Sequence, residues 1–178
     1  MTPATSDTEP RPRGRHRRRW LAIGILLLGL VLLLRSEFRL VIAVGESMRP
    51  TLESGDLLVV HQGAYRRSNP RRGDIVVVRH FGEWIVKRIV GLPGETLEVN
   101  RGTLLVNRQP LPENHRVMAG SLTIEPGRLR EGRYALLGDN RDYAVSESIH
   151  AVVSLDQVLG KVVSSTRWLP SSRKPDME

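Results

Sequence analysis

The stretch WLAIGILLLGLVLLL, Trp20 to Leu34, constrains this chain more than any other. Fifteen residues pass without a charge, directly after Arg11, Arg13, Arg15, Arg17, Arg18 and Arg19. A buried helix of a globular domain carries a polar stripe, and this run has none. A cleaved signal peptide has a basic start and an apolar middle, but it ends at an A-x-A-like site. Here Arg35, Ser36 and Glu37 follow instead. The run is somewhat shorter than the ~20 residues that cross a bilayer. Arg19 and Arg35 can snorkel at its ends, and Trp20 suits the interface. The expectation is an uncleaved single transmembrane helix over 20–35. The arginine cluster then sets the N-terminus in the cytoplasm and everything after Arg35 on the far side.

The segments either side divide by composition. Residues 1–19 carry Pro, Thr, Ser, Gly and Arg with almost no apolar content, and are expected as a disordered cytoplasmic tail. Residues 36–170 are expected as one extracytoplasmic domain, and 171–178 as a polar tail. Within the domain the pattern is that of strands. FRLVIAV, from Phe38 to Val44, is one; GDLLVVHQ and GDIVVVRH are two more, each opened by Gly-Asp. EWIVKRIV runs into the turn signal GLPGE. LEVN and TLLVN flank Arg101-Gly102 as a hairpin. Residues 110–132, rich in Pro, Gly and Arg, are expected as a surface excursion. RYALLGDN is a further strand ending in a loop. LDQVLGKVVSSTRWL closes the domain as a strand, or as a short helix and a strand. The expected fold is a mostly β, antiparallel domain behind one N-terminal membrane helix.

The net charge of +8 raises nucleic acid as a partner. The charge is crowded into the N-terminal segment, and aromatic stacking residues are few, so no nucleic-acid partner is expected. With no cysteine there is neither a disulfide nor a thiolate metal site. No His or carboxylate pair has metal-ligand spacing, so no metal is assigned.

Lysine usage carries chemical information. Only Lys87, Lys161 and Lys174 interrupt an arginine-rich chain. Positive charge alone is met by arginine. Lys87 stands in the apolar strand W-I-V-K-R-I-V, sharing a face with Ile85 and Ile89 by alternation. A lysine so placed loses hydration, its pKa falls, and it can serve as a general base, which arginine cannot. The plain alternative is a lysine on the solvent face of an edge strand. Ser47, in GESMRPTL, is by itself a turn or capping serine. Its setting suggests more: Gly45 permits close backbone approach, as an oxyanion hole of N–H groups needs, and Met48 and Leu52 give apolar lining. GDN, Gly138 to Asn140, is by itself a turn. His150 offers a Ser–His alternative, since histidine is the commonest general base.

Taken in order, these segments resemble the type I signal peptidases, membrane-anchored serine/lysine peptidases that remove signal peptides. GESMRPTL matches the family's serine motif, RRGDIVVV its second motif, IVKRIVGLPGE its lysine motif, LLGDNRD the opening of its last, and VLGKV its closing segment. The resemblance covers roughly residues 20 to 165, and the ordered set is far more specific than any one motif. It implies Ser47 as nucleophile and Lys87 as general base, with no cofactor. The Ser47 backbone N–H would be one oxyanion donor. The family position that gives a hydroxyl as the second is Gly45, so a backbone N–H or a water serves there. Met48, Leu52, Ile85 and Val86 match positions lining small apolar substrate pockets. Arg88 and Asp139 match a structural ion pair. The implied partners are signal peptides of exported preproteins and membrane lipid, at the cell (inner) membrane.

One segment departs from the family pattern. After GDNR the family shows x-x-S-x-D-S-R. This chain puts Ala144 where the family serine orients the lysine, and Ser146 and Ser148 where the family has Asp and Arg. The two charges are lost together, which leaves no unpaired partner. Two further readings follow: an impaired relative that binds exported chains without turnover, and a self-cleaving serine/lysine peptidase. Against the first stand Ser47 and Lys87, both present. Against the second stands the absence of a DNA-binding domain ahead of the anchor.

Overall fold

The structure is a computed structural model, and it describes residues 14–142 and 150–167. The chain divides into two compact units, Met1–Ser36 and Glu37–Glu178.

In the first unit the helix α1 spans Gly14–Glu37, 24 residues. It opens inside the arginine-bearing segment that was expected to be an irregular tail. Leucine, alanine and arginine are strong helix formers, and they outweigh Gly24 and Gly29, which cost about 1 kcal/mol each. Trp20, Ile25 and Leu26 are among its many exposed apolar side chains. Among the described residues no helix is long and apolar enough to cross a membrane.

The second unit is built from antiparallel strands, as its short β-branched runs and turn signals predict. In chain order these are β1 (Phe38–Ile42), β2 (Asp56–His61), β3 (Ile75–His80), β4 (Glu83–Gly91), β5 (Thr96–Asn100), β6 (Thr103–Val106), β7 (Gln109–Pro110), β8 (Ile124–Arg128), β9 (Arg133–Leu137), β10 (His150–Ser154) and β11 (Val158–Arg167). Seven form one sheet in the order β1-β2-β11-β3-β4-β9-β10, and four form a second in the order β7-β6-β5-β8. The β5–β6 hairpin turns at Arg101 and Gly102, both at positive φ (46° and 78°). That is the backbone a two-residue hairpin loop requires.

Two expectations are corrected. Residues 110–132 are more than a surface excursion: they contribute β8, paired with β5, and Leu122 and Leu129 are buried. Proline and glycine hid this strand, because an edge strand tolerates both. The first strand ends at Ile42 rather than Val44, because Val44 belongs to the loop that follows. β10 was not foreseen. Its five residues pair with β9, and it is followed by a 3₁₀ turn, Leu155–Gln157, that leads into β11.

Three apolar clusters fill the domain. One, between the two sheets, gathers Val90, Leu97, Val99, Leu104, Leu122, Leu129, Ala135 and Leu137. A second holds Val76, Val78, Ile89, Leu136 and Val153. The third holds Ala43, Met48, Leu52, Leu58, Val60 and Val77, and it lies directly under the loop that carries Ser47. Burying each valine, leucine, isoleucine or methionine side chain among them contributes about 1.5–3 kcal/mol. The Ser47 loop is therefore pinned through Met48 and Leu52, which are 4% and 3% exposed.

Candidate active site

Ser47 sits in the connection between β1 and β2. The two ends of that loop are closed by Ala43 N–H to Asp56 O (2.9 Å) and Gly55 N–H to Ala43 O (2.8 Å). Inside it the chain turns: Arg49 N–H donates to Glu46 O (3.1 Å) and Leu52 N–H to Met48 O (2.9 Å). The turn lifts Ser47 above the apolar floor while Met48 and Leu52 hold that floor.

Lys87 comes from β4, an interior strand flanked by β3 and β9. Its neighbour across β3 is Val76. Every residue of β4 from Lys87 to Gly91 is buried, so the strand offers this lysine no solvent face. Lys87 is 3% exposed. Burial strips its ammonium of hydration and lowers the pKa from 10.5 to about 8. Lys87 Nζ donates to Ser47 Oγ at 2.7 Å and to Val86 O at 3.1 Å. The two residues are 40 positions apart in sequence.

A third element fixes the first two. β9 pairs with β4 so that Leu137 faces Arg88. The residues that follow, Gly138-Asp139-Asn140, thereby land against both the lysine strand and the serine loop. Asp139 is fully buried and forms a two-pronged pair with Arg88: Arg88 Nε to Oδ1 at 2.9 Å and an Nη to Oδ2 at 2.6 Å. Thr51 Oγ1 donates to the same Oδ2 at 2.5 Å. Arg88 also donates to Gly73 O (2.8 Å). Removing either charge would strand the other, which is why such pairs persist buried. Gly138 lies so close to Ser47 that a Cβ there would collide with the Ser47 carbonyl. Only glycine permits that approach.

Ser47 and Lys87 both line a cleft of about 380 Å³. Val41 to Glu46 line one wall, and Glu83 to Val86 the other, with Met48, Leu52 and Val77 beneath. All four residues expected to line substrate pockets, Met48, Leu52, Ile85 and Val86, border this one cleft. Trp84 and the β1 segment were not foreseen as walls; their sequence shows only an ordinary strand.

Gly45 lines the same cleft. Its N–H donates to Ser54 Oγ at 3.3 Å. The Ser47 N–H has no acceptor among the described residues. His150 is set aside as a base for Ser47: it lines a separate cleft with Leu97, Leu129 and Arg133. His61 stacks on Phe38 and His80 lies against Phe81, each on its own strand end. Ala144, Ser146 and Ser148 lie outside the described residues.

Sequence reasoning passed over Thr51, Asn140, Arg141, Glu113 and His115. Arg141 is 1% exposed. It donates to Gly138 O (2.7 Å), Gly102 O (3.1 Å) and Glu113 Oε1 (2.8 Å), fastening the Gly138 loop to the second sheet. His115 Nε2 lies 3.4 Å from both Glu113 Oε1 and Asp139 Oδ1, and burial lowers its pKa. For Thr51 and Asn140 a signal existed: both stand inside the two motifs that had been singled out.

A hydroxyl against a buried amine, in the wall of a largely apolar cleft, has the parts of a covalent hydrolase of acyl bonds. Comparison with known proteins narrows that class. Residues 17–168 match the family described as signal peptidase, peptidase S26, and the chain belongs to it. A signal peptidase I of Leptolyngbya laminosa is 32% identical over 187 aligned residues, covering 97% of this chain and 91% of that protein. A probable signal peptidase I of Synechocystis is 30% identical, covering 85% and 83%. A solved signal peptidase I from Enterococcus faecalis aligns at 28% identity over 53% of this chain and 97% of its own, with a TM-score of 0.39.

Proposed function

We propose that the chain is a membrane-bound signal peptidase I. It would cleave signal peptides from exported preproteins after small residues, with Ser47 as nucleophile and Lys87 as general base. The observation that carries this reading is the 2.7 Å contact between Ser47 Oγ and the buried Lys87 Nζ. An unshifted lysine would be neutral in roughly three molecules in ten thousand at pH 7; at a pKa of about 8 roughly one in ten is neutral.

Neutral Lys87 accepts the Ser47 hydroxyl proton as Oγ bonds to the scissile carbonyl carbon. The carbonyl electron pair moves onto oxygen and meets the Ser47 N–H. Collapse of this tetrahedral species breaks the C–N bond. The leaving amine takes the proton from Lys87, and an ester to Ser47 remains. Water then attacks the ester while Lys87 takes its proton. The second collapse returns that proton to Oγ and releases the signal peptide as its carboxylic acid. The small apolar cleft beside Met48, Leu52, Ile85 and Val86 supports a preference for alanine-like residues near the cut.

Helix α1 would be the anchor. Its exposed apolar side chains cannot be left in water without cost, and the run from Trp20 to Leu34 spans about 22 Å at 1.5 Å per residue. Arg19 at its start would reach toward the headgroups by snorkelling. The arginine-rich start favours a cytoplasmic N-terminus and a catalytic domain on the extracytoplasmic side.

The test is cleavage of a preprotein with an A-x-A site by the detergent-solubilised chain, beside Ser47→Ala and Lys87→Arg. Only wild type should cut, and its rate should climb with pH to a plateau above about 8, as Lys87 loses its proton. A Lys87→Arg chain as active as wild type would overturn the mechanism. Folded wild type that cuts no preprotein would favour the impaired reading, for which the departure at Ala144–Ser148 is the motive.

A further inference from the structure

The oxyanion donor in this reading is a single backbone N–H, that of Ser47. A peptide unit is planar and trans, so its N–H points opposite to its carbonyl. The carbonyl sharing a peptide plane with the Ser47 N–H is that of Glu46. Whatever grips Glu46 O therefore aims the Ser47 N–H.

Two donors grip it. Arg49 N–H closes the local turn at 3.1 Å, and Asn140 Nδ2 donates from the opposite loop, also at 3.1 Å. Asn140 is 4% exposed, so its carboxamide is held among protein groups. Its Oδ1 accepts the Asp142 N–H at 3.0 Å, which leaves Nδ2 as the atom facing Glu46. Its own N–H donates to Ser47 O at 3.0 Å. One residue thus holds the carbonyls on both sides of the Ser47 α-carbon. Gly138, two residues earlier, allows the close approach that makes both bonds possible.

We propose that Asn140 is a positioning residue for the oxyanion hole. Its carboxamide fixes the plane of the Glu46–Ser47 peptide and polarises it, so that the Ser47 N–H meets the developing negative charge without reorganising. The proposal rests on the peptidase reading above. Donors of this kind act by being aimed beforehand at the charge of the transition state, not at the ground-state carbonyl. Their loss therefore falls on kcat rather than on substrate binding.

Asn140→Asp keeps the shape, the bond from Asp142 N–H and the backbone bond to Ser47 O, and turns the donor facing Glu46 O into an acceptor. Asn140→Ala removes the donor without adding charge. In both, Arg49 N–H still closes the turn. The experiment uses the full chain in detergent, with folding checked by denaturant titration. It measures kcat and KM for an A-x-A peptide and inhibition by two analogues. One is a peptide aldehyde, which adds reversibly to Ser47 Oγ to give a tetrahedral oxygen. The other is the matching peptide alcohol, which cannot.

Both variants should lose roughly 10- to 100-fold in kcat, with KM within twofold. Their preference for aldehyde over alcohol should fall by a like factor. The midpoint of the pH profile should stay near 8 in Asn140→Ala. A fall in kcat with the aldehyde preference unchanged would make Asn140 merely structural and overturn the proposal, as would unchanged kcat. Wild type that prefers neither analogue would sink the peptidase reading itself, and the proposal with it. Strong wild-type preference retained in both variants would overturn the role of Asn140 alone.

Discussion

Lys87→Met separates the stability cost of the buried lysine from its chemistry. Methionine fills a similar volume and needs no hydration. In the folded chain burial lowers the Lys87 pKa from 10.5 to about 8, while in the unfolded chain it returns to the ordinary value. A native state that holds its proton less tightly is penalised wherever the unfolded state is protonated. Below pH 8 the full penalty applies, about 2.5 units at 1.36 kcal/mol each, or about 3 kcal/mol. Between pH 8 and 10.5 the folded lysine is neutral and the unfolded one still charged, so stability rises with pH. By pH 10 the penalty has shrunk to about 1 kcal/mol. Lys87→Met should therefore be inactive yet more stable than wild type, by up to about 3 kcal/mol at pH 7. The excess should shrink by about 2 kcal/mol by pH 10. Denaturant titrations of both chains from pH 6 to 10, taken as differences, cancel the groups they share. A difference that stays constant with pH would refute the claim that burial lowers this pKa.

Asp139→Asn should lower stability by about 3–5 kcal/mol, because Arg88 would be left buried without its counter-charge; thermal melts of the two chains would show it. Asp139→Asn with Arg88→Met, which removes the ion pair as a unit, should recover much of that loss. Gly138→Ala should reduce kcat for peptide cleavage at least tenfold, since the added methyl meets the Ser47 carbonyl and must displace the serine loop. Retained kcat in a folded Gly138→Ala chain would count against a tightly held loop.

The sequence alone determined most of the strands, the two motifs and the lysine. Strand identity was legible because short β-branched, apolar runs bounded by turn residues mark strands, as in Asp56–His61 and Ile75–His80. Lys87 was legible because the chain uses arginine almost everywhere that charge alone is wanted. Proline and glycine concealed β8, and the shortness of His150–Ser154 concealed β10, since neither has a period long enough to read. Only the tertiary structure decided which groups meet. The register of β4 against β9 carries Asp139 to Arg88 and Asn140 to the serine loop, and no local pattern encodes a register between segments 50 residues apart. It likewise turned the Gly45 N–H toward Ser54 Oγ. Backbone direction is set by the hydrogen bonds that a peptide finds in the folded chain, and the residue's identity does not reveal them.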